Sequence, residues 1–314
     1  MQLSDRIERR MKLQDLHVLM TVMQAGSMGR AAQRLNISQP AISRSIAELE
    51  RALGVRLLDR HRQGIEATEY GRALLDCGVA VFDDLRQGVK NIEFLADPAA
   101  GEVRIGSTLT LAASFVSVVI DRLSRRYPRI MFHLVTGDVE VLHHELSERN
   151  VDLLITRRFG PIADERLGFE FFFDDLCVVA VGAHSPWARR RRVELAELVN
   201  EPWVLPARGS GIVGSIAMEA FGARGLDYPP TTVVINSPHV RMSLLATGRF
   251  LTIFAASILR FSPKYPEIKA LPVDLPIPRA PIGIVTLKNR TLNPVAQLFV
   301  EYARELAKPL AKKK

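Results

Sequence analysis

Five residues within one short span, Ser38, Gln39, Pro40, Ser43 and Arg44, have the types and spacing to read a nucleic-acid duplex. Gln can pair bidentately with adenine and Arg with guanine, and a Ser hydroxyl takes a phosphate or a base edge. Such groups need a rigid element that offers them from one end, and the span supplies it. Ile42, Ile46, Leu49 and Leu53 recur at helical spacing and make one buried face. Ser43, Arg44 and Arg51 then fall on another side, with Gln39 at the exposed tip. Ser38 can cap this helix through its hydroxyl, and Pro40 sits in the first turn, where its missing N–H costs nothing.

The preceding stretch positions that helix. Met28 to Leu35 places Ala31, Ala32 and Leu35 on one face. Asn36-Ile37 then breaks the pattern, and Asn tolerates the left-handed backbone that ends a helix. A first helix, Leu13 to Ala25, is expected to turn Leu13, Leu16, Met20 and Met23 inward. Gly26 stops it, and Ser27 caps the next helix at a place where a phosphate could also bond. Met28, Arg30 and Arg34 join the candidate contacts. The two later helices read as a helix-turn-helix, with the motif over 28–47 and Gln39–Leu53 as the recognition helix. Taken alone, the stretch also fits an ordinary helical hairpin with a solvated polar face. After it, a strand-like run, a basic tip containing Arg60 and Arg62, and a return at Ile65-Glu66-Ala67 make a two-stranded wing. Residues 1–68 carry 11 Lys and Arg against 7 Asp and Glu, so +4 of the chain's +8 lies here. That is where a polyanion partner would require it.

Thr68 opens a long helix to about Leu95, with Leu74, Cys77, Val81, Leu85, Ile92 and Leu95 on one apolar stripe. Such a stripe calls for a partner helix, and we expect homodimerisation through it. Asp97-Pro98-Ala99-Ala100-Gly101 follows as a hinge. From Glu102 strands and helices alternate, which predicts parallel strands with crossover helices. Leu167–Phe173 is a further strand, and Asp174-Asp175 begins a crossing to a second lobe. The run from Pro272 to Pro278 crosses back.

A second set of chemistry-bearing residues stands just after the predicted strands, where open α/β sheets bind ligands. It comprises Ser107, Thr108 and Thr110; Gly137 and Asp138; Thr156 and Arg157; and, in the second lobe, Gly209, Ser210, Ser237 and His239. Hydroxyls and free N–H groups at helix starts hold carboxylate or phosphate oxygens, and Arg157 or Arg208 would add a bidentate charge. Singly, each Ser or Thr is better read as a cap of its own helix. As a set converging on one cleft, they point to an anionic metabolite.

Other classes are disfavoured. Hydrophobic residues make up 47% and charged residues 24% of 314, as in a globular protein of two or three domains. Cys77 and Cys177 are too few for a disulfide scaffold. There is no signal-peptide h-region and no apolar run of membrane-spanning length, so a cytoplasmic protein is expected. His143 and His144 point apart on a helix and do not make a metal site. No glycine-rich phosphate loop or nucleophile elbow is present, so neither a cofactor nor catalysis is expected. The Arg189–Arg192 run reads as a solvated surface.

The residues Ala31-Ala32, Leu35, Ser38 through Ser43, Leu49-Glu50, Leu53-Gly54, Arg60, Thr68 and Gly71 closely resemble the LysR-type transcriptional regulators. Leu58 replaces the family's usual Phe, Ala67 its usual Leu, and Gly248-Arg249-Phe250 departs from its Gly-x-Gly. The resemblance implies an α+β multidomain chain. A winged helix-turn-helix over 11–68 would follow an N-terminal extension (1–10). A linker helix would span 69–97 and a hinge 98–101. A two-lobed α/β, periplasmic-binding-protein-like effector domain would span 102–306, before a basic tail (307–314). Lobe 1 would take about 102–174 and 277–306, and lobe 2 about 175–276. The implied partners are double-stranded promoter DNA, a small-molecule effector and further copies of the chain as a dimer of dimers, with RNA polymerase as an open addition. The rivals are a solute-binding receptor on the same α/β scaffold and an α/β enzyme.

Overall fold

A computed structural model describes residues 11–61, 64–158, 164–209, 211–261, 267–277 and 279–311. The chain divides into two compact units, the first ending at Val89 and the second starting at Lys90.

The first unit is built on α1 (Leu13–Ala25), α2 (Met28–Leu35) and α3 (Gln39–Leu53). The expected inward stripe of α1 holds at Leu16, which is buried, but Leu13 is 51% exposed and Met20 and Met23 are half-buried, while Val18, Leu19, Val22 and Ala25 turn inward as well. Contact with both later helices requires a wider apolar arc than one line of residues. Gly26 and Asn36 end their helices in the left-handed conformation, Asn36 at φ 53°. Ile42, Ile46 and Leu49 of α3 close the core against Ala31 and Ala32. Ser45 donates to Asp15 across 2.6 Å, tying α3 to α1.

The wing is β1 (Leu58–His61) paired antiparallel with β2 (Gly64–Ala67). Leu58 and Ala67, the two family departures, are direct cross-strand partners and both buried. Glu50 holds the wing's root by accepting from the amides of Leu57 at 2.8 Å and Leu58 at 3.3 Å. The long helix α4 (Glu69–Ala96) starts against this root. A Cβ on Gly71 would stand 2.1 Å from the Leu57 carbonyl oxygen, so only glycine fits there. Gly78 likewise lets Leu16 and Met20 of α1 approach closely. The apolar stripe splits: Leu74 packs on the three-helix core, whereas Leu85, Ile92 and Leu95 are 49%, 69% and 80% exposed.

The second unit holds two five-stranded sheets. Its elements are β3 (Ala100–Ser107), α5 (Leu109–Leu111), α6 (Ser117–Arg126), β4 (Arg129–Thr136), α7 (Val139–Ser147), β5 (Leu153–Arg157) and β6 (Leu167–Asp175). Then come β7 (Cys177–Gly182), β8 (Trp203–Leu205), α8 (Gly211–Gly222), β9 (Thr231–Val234), α9 (Pro238–Ala246), β10 (Leu251–Ala255), α10 (Ala256–Phe261), β11 (Ile268–Ala270), β12 (Ala280–Leu287) and α11 (Pro294–Ala311). One sheet runs β4-β3-β5-β12-β6 and the other β11-β7-β10-β8-β9.

Several expectations need correction. The expected parallel pairing holds for β3 with β4 and β5 and for β8 with β9 and β10, but the sheets are mixed: β12 is antiparallel to β5 and β6, and β7 is antiparallel to β10 and β11. A strand that returns from the other lobe enters its sheet from the opposite end. β3 already begins at Ala100, inside the expected hinge, and β6 runs to Asp175 before the crossing at Leu176. The segment before β3 is pinned by charge, since Arg129 meets Asp97 at 2.6 Å and Lys90 meets Glu102 at 3.0 Å. The terminal helix extends to Ala311 and carries Pro309 within it. A π-helical turn (Ala112–Val116) joins α5 to α6. Helix α10 was not anticipated. It follows a strand of the second sheet, yet Phe261 packs on Phe115 of the first lobe's core, 5.3 Å between ring centres.

Candidate nucleic-acid interface and ligand cavity

The tip of α3 is open. Gln39, Pro40 and Arg44 are exposed and Ser43 is half-buried, while the opposite face is sealed in the core. Ser38 accepts from the Ala41 amide at 3.4 Å and so caps the helix. Ser27 accepts from the Arg30 amide and from its guanidinium Nε, both at 3.2 Å, which holds the Arg30 side chain beside the start of α2. Arg30, Arg34 and Arg60 are exposed. No acid within salt-bridge reach occupies Arg30, Arg34, Arg44 or Arg60 among the described residues. Met28 stands apart from this group. It is 7% exposed in the three-helix core, because the first residue of α2 turns toward α1. Arg62 lies outside the described residues. The surface that remains is cationic and its helices are capped, with exposed guanidinium and amide side chains that suit phosphates flanking a groove.

The second unit contains a cavity of about 560 Å³ between its two sheets. Thr108, Thr110, Gly137, Asp138 and Arg157 line it from one sheet, as the strand-end rule predicts. From the other side come Cys177, Asn236, Arg241 and Phe254, with Val213 and Ile216 of α8 adding an apolar wall. The remaining predicted residues are placed elsewhere. Ser107 is fully buried and donates to the Ile155 carbonyl at 2.8 Å. The Thr156 hydroxyl bonds to the Arg157 carbonyl at 3.3 Å. Ser237 caps α9 by accepting from the Val240 amide, and His239 is exposed. Gly209 takes a left-handed turn beyond the cavity lining, and Ser210 lies outside the described residues. Arg208, the other guanidinium considered, stacks over Tyr228.

Two guanidiniums face the cavity, and they differ in kind. Arg157 is paired with the buried Asp175, whose carboxylate also accepts from the Ser257 amide at 3.0 Å and hydroxyl at 2.6 Å. That network joins β5, the end of β6 and α10. Arg241 is 2% exposed and has no carboxylate partner among the described residues. It donates to the Ile253 carbonyl at 3.2 Å and lies 5.0 Å from the Phe254 ring centre, and its Nε is buried without an acceptor. Burial lowers its pKa to about 10, so it is charged at neutral pH. Burial raises the Cys177 thiol to about 11, against the pull of Arg157 and Arg241, so it stays protonated. The Thr108 hydroxyl is also enclosed without a partner. Arg241 escaped the sequence reading because it lies in the second turn of a helix, past the strand-end positions. Its only local signal was a charge at i, i+1 from Met242 on an inward face.

An open recognition helix with a wing, followed by a two-sheet unit around a polar cavity, defines a ligand-responsive DNA-binding protein. The chain belongs to the LysR family: the LysR substrate binding domain matches residues 96–308, and the bacterial regulatory helix-turn-helix protein of the lysR family matches residues 13–72. It is a LysR-type DNA-binding transcriptional regulator with a substrate-binding effector domain. The regulator GbpR of Azospirillum brasilense is 26% identical over 292 residues, 93% of this chain and 85% of that one. The dual regulator GltC of Bacillus subtilis is 27% identical, over 93% of this chain and 96% of its own. Full-length OxyR from Pseudomonas aeruginosa superposes with a TM-score of 0.65 at 20% identity, covering 97% of this chain and 99% of that one. CbnR in complex with its target DNA gives 0.59 at 22% identity, covering 94% and 99%. No helix among the described residues is long and apolar enough to cross a membrane. No group of three or more His, Cys, Asp or Glu among them could hold a metal ion.

Proposed function

We infer that an anionic small molecule in the inter-sheet cavity controls promoter binding by this regulator. The observation behind this reading is the cavity itself, which combines Thr108, Thr110, Arg157 and Arg241 in one chain with an open, cationic recognition helix. An anion that binds one lobe arrangement better than another shifts the population toward it. The long helix α4 would carry that shift to the DNA-binding units of a homodimer, whose interface we assign to exposed Leu85, Val89, Ile92 and Leu95. Two such dimers would contact two interrupted palindromic sites, in the cytoplasm and without catalytic turnover. On the DNA side, Gln39, Ser43 and Arg44 would meet base edges. Ser27, Arg30, Arg34, Ser38, Pro40, Arg60 and Arg62 would lie along the backbone. The relevant domain limits are 11–68 for DNA, 69–97 for dimerisation and 102–306 for the effector.

The test is a fluorescence-polarisation titration on a promoter fragment selected from genomic DNA. The affinity should fall steeply and log-linearly with salt, as counterion release requires. It should also change when metabolite pools are added. Affinity that is flat against salt, or blind to every pool, would count against the reading.

A further inference from the structure

The two cavity guanidiniums are not equivalent. Arg157 is neutralised by Asp175, which is itself held by Ser257. Arg241 is as deeply buried and, among the described residues, has only a carbonyl and an aromatic face. A buried charge without a counter-ion costs stability, and a natural sequence keeps one where something outside the fold completes it. Three further features sit around it. The Thr108 hydroxyl, on the opposite sheet, is enclosed and has no partner among the described residues. Val213, Ile216 and Phe254 make an apolar wall. Asp138 stands exposed on the lining at the start of α7 and makes no capping bond there. The cavity thus offers one unmatched positive charge at depth and one negative charge at its rim.

We propose that Arg241 anchors the effector's carboxylate, with Thr108 donating from the other lobe, and that the effector is a compact carboxylate with an apolar body and no second negative charge. This rests on the effector-cavity reading above and narrows it. Arg157 does not serve as the anchor, since drawing it to a ligand would strand Asp175. A dianion or phosphate ester would bring a second negative charge into a site whose only other unpaired ion among the described residues is Asp138. A zwitterion satisfies the same rule, its ammonium meeting that carboxylate.

The full chain and two variants, Arg241→Met and Arg157→Met, test this by thermal unfolding without ligand and by calorimetric titration. Benzoate, 3-methylbutanoate and leucine probe the proposed class, and succinate, glutarate and inorganic phosphate probe the excluded one. Without ligand, Arg241→Met should unfold no lower than the parent, because a costly charge is replaced by an apolar chain of similar volume, whereas Arg157→Met should unfold lower. At least one probe of the first group should bind, and Arg241→Met should weaken it at least about 10-fold, the loss expected of a charged hydrogen bond. Arg241→Lys should retain part of that binding. A clear drop in the unfolding temperature of unliganded Arg241→Met would make the residue structural and overturn the proposal. So would tighter binding of succinate, glutarate or phosphate, or no binding by the first group. A ligand of another class that binds Arg241→Met unchanged would overturn the anchor and leave the effector cavity standing. If no metabolite pool altered DNA affinity either, the broader reading would fail with it.

Discussion

The tip of α3 and the wall of the cavity present charged groups in opposite ways. At the tip, Gln39 and Arg44 are exposed on a helix whose stability comes from the far face, through Ile42, Ile46 and Leu49. The exposed polar face and the core-forming face occupy different sides of one element, so a change on the first need not burden the second. In the cavity, Arg157 and Arg241 are buried, and each is part of the folded interior as well as of the cavity lining. There the sign of a substitution's effect on stability depends on whether the charge has a partner. The comparison teaches that a surface position can be altered at little cost to the fold, while at a cavity position the cost turns on whether the buried charge has a partner in the fold.

Arg157→Met should give the largest effect. It leaves Asp175, 5% exposed, with hydrogen bonds from Ser257 but no counter-charge. Breaking one side of a buried ion pair costs about 3 kcal/mol, and chemical denaturation should report a loss of that order. A loss below about 1 kcal/mol would mean that solvent reaches the pair, and the contrast between tip and cavity would weaken.

The next effect tests whether the DNA-binding unit is free of such coupling throughout. Gly71 sits under the wing's root, where an added Cβ would stand 2.1 Å from the Leu57 carbonyl oxygen. Gly71→Ala should cost about 2 kcal/mol by overpacking and displace the wing, lowering DNA affinity together with stability. Unchanged stability with intact affinity would show that the start of α4 yields easily.

The same contrast explains what could be read in advance. The tip was legible because its logic is local. Ser38, Pro40, the Ile42–Ile46–Leu49 spacing and Asn36 lie within a few helical turns, and capping and periodicity report them directly. Thr108, Thr110, Gly137, Asp138 and Arg157 were legible through a topological rule, since strand ends converge. Arg241 obeys no such rule, and α10 was hidden because Ala256–Phe261 is short and follows its strand without a break. Met28 was misplaced because the start of a helix says nothing about which way its first side chain turns. The mixed strand directions depend on where β12 re-enters the first sheet, which is a matter of tertiary pairing and leaves no periodic trace.

A smaller effect is expected from the cap of the recognition helix. Ser38→Ala removes the 3.4 Å bond to the Ala41 amide, a long one, so the loss should sit near the low end of the capping range, roughly 0.5 kcal/mol. Hydrogen exchange should quicken in the first turn of α3 and nowhere else. A loss spread over the whole three-helix core would show that the cap also orients α3 against α1.

Arg44→Ala should have the smallest effect on folding and is the sharpest test of the comparison. The side chain is exposed and no described residue pairs with it, so the unfolding free energy should stay within about 0.5 kcal/mol of the parent. If it meets a guanine edge, discrimination between target and altered site should fall by roughly 1–3 kcal/mol, with the loss confined to the base pair it reads. If it meets only phosphate, affinity should fall on all sequences alike and the salt slope should drop by about 1. Competition binding on a panel of single-base variants at two salt concentrations separates these outcomes. An unfolding change as large as that of Arg157→Met would show that the recognition face also supports the core, and the division of labour along α3 would not hold.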